Sequence, residues 1–139
     1  MNLERMLGMC RRGQWRLSDL DWSGKPRALS PENEMSVVQF FLDMAGIERL
    51  AAALFQVQKE RTPNPLLREI FTTFVEDEFR HARVALRLAA FYNQNNYKSY
   101  AQNPFLIRFE QAFVKAVRHL SPDIANAYIT TGELLLDVA

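Results

Sequence analysis

Two glutamates and a histidine stand out because of where their spacing puts them. On a helical reading, Phe41, Met44, Ala45, Ala52 and Phe55 recur at steps of three and four, and Glu48 falls in the middle of that apolar stripe. A second stripe, Phe71, Phe74, Val75, Ala82, Ala85 and Ala89, contains Glu78 and His81 three residues apart, one above the other. A carboxylate pointing into an apolar interior must be paired, protonated or bound to a metal ion. Two carboxylates with an imidazole are a donor set that can hold a metal ion.

The chain between them sets their relative height. Arg61-Thr62-Pro63-Asn64-Pro65 breaks the helical pattern, and a short break of this kind joins an antiparallel pair. Pro63 stands fifteen residues after Glu48 and fifteen before Glu78. At 1.5 Å per residue both carboxylates lie about 22 Å from the turn, at one level. Each residue alone has a plainer reading: Glu48 as a helix-surface glutamate, Glu76-Asp77-Glu78 as a solvated acidic run, His81 as a hydrogen-bonded core histidine. The shared level favours a common site in the interior.

The remaining elements follow from cap and proline signals. Ser30-Pro31 starts a helix reaching about Glu60, Asn64-Pro65 starts one reaching about Tyr92, and Pro104 opens a third that Ser121-Pro122 interrupts. A last helical stretch from Ile124 carries Glu133 between Ile129 and Leu136. Strand alternation is missing, so the expected class is all-α, an antiparallel helical bundle over residues 30–139, with residues 1–29 an arm that packs its tryptophans on it.

Composition narrows the classes further. The chain has 139 residues, 48% apolar, which is enough for one domain with a real core. Seventeen basic against sixteen acidic side chains leave no basic excess for a nucleic-acid partner. No run of about 18 uncharged apolar residues suggests a membrane span. The arginines at 5, 11, 12 and 16 interrupt any leader-like apolar block, and the single Cys10 suits a reducing, cytoplasmic setting.

Glu48, then Glu78-Phe79-Arg80-His81, then Glu133 resembles the ligand order of ferritin-like di-iron carboxylate proteins, over roughly residues 31–139. That family places a Glu on each of two helices and a Glu-x-x-His on each of the other two. The resemblance implies metal ligands at Glu48, Glu78, His81 and Glu133, with Asp77 behind a ligand histidine. It implies two irons per complete bundle, with manganese as the other candidate. It also implies an oxidase or oxygenase using O2 on a small organic substrate. A second Glu-x-x-His is absent, with only six residues after Glu133 and His119 the one other histidine. The bundle is therefore expected to be the front part of a longer one, or to be completed by a second copy as a homodimer, and the chain alone to turn over weakly if at all. Two other readings stay open: a ferroxidase or iron-handling protein built from two identical hairpins, and a metal-free helical interaction module.

Overall fold

The structure, a computed structural model, describes residues 2–97 and 101–137, the side chains of 132–137 excepted. Its elements are α1 (Leu3–Arg12), a 3₁₀ turn (Leu17–Asp19), α2 (Pro31–Arg61), α3 (Pro65–Tyr92), α4 (Pro104–Val117) and α5 (Pro122–Asp137). No strand occurs among the described residues, and no helix is long and apolar enough to cross a membrane.

Four helices begin with the same device. Ser30, Asn64, Asn103 and Ser121 each accept a hydrogen bond from an amide of the following turn, and each is followed by a proline that has no amide to satisfy. The end of α2 is basic, with Lys59 and Arg61 against the negative end of the helix dipole. Arg61 also donates to the carbonyls of Val117 and Leu120 at 3.2 and 2.6 Å, which ties the α4–α5 turn to the end of α2.

The long helices α2 and α3 form the antiparallel pair, joined by Thr62–Asn64. Around the middle of the pair the buried side chains are small: Ala45 and Ala52 on α2, Ala82 and Ala85 on α3. Small residues let the two backbones approach, so longer side chains between them converge. α2 is buried on more than the expected stripe. Val38 and Leu42 pack toward Ala89 of α3, while Leu50, Leu54 and Val57 pack on Val117, Ala125 and Ile129 of α4 and α5. α2 is therefore the central helix, with α3 on one side and the α4–α5 pair on the other, and α1 packs on α3. The pair leaves much of its own apolar surface open, with Phe105 80% and Tyr128 58% exposed.

One buried carboxylate had no signal in the sequence beyond a favourable first-turn charge. Glu34 is 2% exposed, and its two oxygens accept from the backbone amide and side-chain amide of Asn95, at 2.9 and 2.8 Å. It clamps the start of α2 to the turn that ends α3, where Asn96 takes a left-handed φ of 54° that asparagine tolerates. Glu34→Ala should cost about 2–3 kcal/mol in urea unfolding, since it strips a charged acceptor from two donors. A loss under about 0.5 kcal/mol would contradict the clamp.

Candidate metal centre

The register expected from the turn brings three ligand-type side chains together. Glu48 on α2 and Glu78 and His81 on α3 each offer one donor atom, and these atoms lie within 4.8 Å of one another. His81 Nδ1 stands 3.6 Å from Glu48 Oε2 and 3.3 Å from Glu78 Oε2. Ligands about 2.0–2.2 Å from a shared ion stand about 3.0–3.5 Å apart, so the two distances from His81 already match that spacing to within about 0.1 Å.

The three are not equally buried. The Glu78 side chain is 9% exposed and Glu48 18%, but His81 is 43% exposed. A step of three residues turns about 300° around a helix, which leaves His81 about 60° off the direction of Glu78. That offset carries the imidazole out of the helix contact to its rim. The expectation of three polar groups in a greasy interior holds for the carboxylates and is corrected for the histidine.

Charge explains the state of the group without an ion. Burial works most strongly against the Glu48 carboxylate. Hydrogen bonds with His81 and Glu78 and the positive charge of His81 together outweigh it, so its pKa lies below the usual glutamate value. The Glu48 and then the Glu78 carboxylate hold a proton on His81 against its partial burial, and the pKa is pushed up to about 10. Two carboxylates with one imidazolium leave a local charge of −1, and a divalent ion replacing that proton leaves zero. The donor set therefore fits a divalent transition metal.

The arm supplies the outer layer. Trp15 stacks on His81, ring centres 5.9 Å apart and planes 25° from parallel. On its other contact the Arg80 guanidinium lies 6.0 Å from the indole centre. Arg80 donates to Asp77 and to Gln14, and Gln14 donates to Asp77 at 3.1 Å. Asp77, expected behind the histidine, thus pairs with Arg80 and Gln14 and reaches His81 through Arg80 and Trp15. The arm is expected from its sequence to pack its tryptophans on the bundle, but His81 as the partner of Trp15 has no signal there, because the coil between α1 and the 3₁₀ turn has no periodicity to read.

Glu133 lies on α5, but its side chain falls outside the described residues. α5 docks through Ala125 and Ile129 on Leu50, Leu54 and Val57. On the α2 surface these lie about 180–240° round from Glu48, so α5 stands behind α2 as seen from the carboxylate cluster.

In the metal-free protein these shifts set a pH profile. His81 rises from its ordinary 6.5 to about 10, so its stabilisation is whole below pH 6.5 and is lost as pH climbs through 10. Glu48 is lowered, so its contribution is present above 4.5 and disappears on acidification. Thermal melts should therefore show greatest stability near pH 5–6.5 and a decline toward pH 10. His81→Ala should flatten the alkaline limb of that profile. An unchanged alkaline limb in this variant would rule out the ion pair.

No protein-family model, no curated protein and no solved structure matches this chain.

Proposed function

We propose that the α2–α3 hairpin carries a transition-metal centre of the ferritin-like di-iron carboxylate type, and that the protein is an O2-dependent oxidase or oxygenase of a small organic substrate. The convergence of Glu48, Glu78 and His81 within 4.8 Å across two helices supports this reading. Iron is the first choice and manganese the second, because hard carboxylate oxygens and a borderline imidazole suit both. When bound, such a metal supplies electrons to dioxygen.

The chain's own residues do the rest. Glu48 and Glu78 neutralise the ion from opposite helices and hold it at the level where the small side chains bring the backbones close. His81 gives up its proton and donates Nδ1 from the rim. Trp15 covers the outer face of that ring, restricting water while leaving the open edge of the imidazole accessible. Three donors seat one ion, and a pair of ions needs further carboxylates. With α4 and α5 packed behind α2, a second hairpin facing this one would supply them, whether from a second copy or from a longer bundle.

One observation favours a second reading. His81 protonated between Glu48 and Glu78 is a complete interhelical ion pair, as a metal-free helical module would use. Iron binding separates the two. Purified protein reconstituted anaerobically with Fe(II) and desalted should retain stoichiometric iron. Glu48→Ala and His81→Ala should each weaken retention at least about tenfold while circular dichroism stays helical. Apparent affinity for Mn(II) should rise about tenfold per pH unit between pH 6.5 and 8, as one proton leaves His81 for each ion bound. Absence of retained iron and manganese at pH 8 would leave only the ion pair.

A further inference from the structure

A second site lies at the open end of the hairpin, where α2 begins and α3 ends, beyond the carboxylate cluster at its middle. The arm between the 3₁₀ turn and α2 crosses the end of the pair, and beneath it runs a groove of about 600 Å³. Its walls are Ser36, Val37, Phe40 and Phe41 of α2, Tyr92 of α3, and Arg27 and Leu29 of the arm. The rings are ordered against one another: Phe41 stacks on Tyr92 at 5.9 Å, and Phe40 meets Phe41 edge-on at 5.3 Å. Phe40 nevertheless remains 58% exposed, along the open side of the groove. A largely apolar surface of this size with a few polar groups among its walls has the make-up of a small-molecule site.

The charges select the head of the ligand. Among the described residues Arg27 makes no salt bridge. Arg27, Leu29 and Tyr92 also line a neighbouring cavity of about 240 Å³, whose walls include Lys25, Asn95 and Glu34. Glu34 is already bound by Asn95 through both its oxygens, so the neighbouring cavity has a carboxylate among its walls beside Lys25. A second negative charge on the head would share that cavity's lining with a carboxylate. A single negative charge resting on Arg27 would not, and a planar carboxylate matches the guanidinium with two parallel hydrogen bonds.

We infer that this groove binds an amphiphilic monocarboxylate, its apolar body among Val37, Phe40, Phe41 and Tyr92 and its carboxylate on Arg27. The site is independent of the metal reading. Phe41 stands seven residues from Glu48, about 10 Å along α2, and none of the groove residues belongs to the cluster.

Isothermal titration of the full chain with decanoate, below its micelle concentration and at low salt, tests the assignment. Saturable binding of one decanoate per chain is expected, with decyltrimethylammonium at least tenfold weaker. Arg27→Ala should weaken decanoate at least fivefold and leave decanol within twofold. Val37→Trp fills the groove and should abolish both, and Ser36→Trp serves where the first filler fails to fold. Glu48→Gln should bind decanoate as the unaltered protein does, which separates this site from the metal centre. Equal affinity for the cationic amphiphile, indifference to Arg27→Ala, or full binding by a folded groove-filled variant would overturn the assignment. So would sedimentation with anionic phospholipid vesicles in the absence of any binding of monomeric decanoate.

Discussion

Two carboxylates held at one level of a closely packed helix pair require a positive charge between them. Removing water from Glu48 and Glu78 costs free energy that apolar packing cannot return, and their mutual repulsion adds to it. Much of the molecule bears on this constraint. The three-residue break at Thr62–Asn64 sets the level, and the alanines on both helices narrow the gap. His81 supplies the cation where no metal does. The two halves of the hairpin are thereby coupled electrically as well as by packing.

The same constraint accounts for the position of His81. A histidine buried as deeply as Glu78 would be hard to reach and hard to deprotonate. At the rim it keeps contact with both carboxylates, and solvent can take its proton. Trp15 limits that exposure from one side, held by Arg80, which is itself fixed by Asp77 and Gln14. The arm therefore acts on the site at one remove. Because an aromatic face attracts a cation, Trp15 favours the imidazolium and so weighs toward the proton in its competition with a metal.

Much of this was legible in the sequence because it depends on counting. Helix starts followed from three cap-and-proline pairs and from Pro104, and the meeting of Glu48 with Glu78 and His81 followed from equal distances to Pro63 together with helical periodicity. What escaped depends on tertiary context. α2 shows no clean polar face because it is covered on two sides, so Leu50, Leu54 and Val57 could not be separated from the stripe that faces α3. Glu34 looks like any first-turn acid, and only the fold of residues 93–96 back over the start of α2 buries it. The depth of His81 was misjudged because an i, i+3 pair shares a stripe without sharing a direction, and 60° suffices to move a side chain from contact to rim.

The placement of α4 and α5 bears directly on what the cluster can become. They bury Leu50, Leu54 and Val57 on the side of α2 opposite Glu48, so they stabilise the hairpin without closing over its carboxylates. A helical bundle that closed around the cluster would bring its next helices to the opposite face, where Glu48, Glu78 and His81 converge. Among the described residues the arm lays the Trp15 indole on His81 there. One tryptophan can shield an imidazole face, but it brings no oxygen or nitrogen donor to an ion. Among the described residues the cluster offers three donors, sufficient for a proton or one ion. A two-metal centre would need a partner hairpin on the face that the arm now covers, and Trp15 would have to share or yield that face.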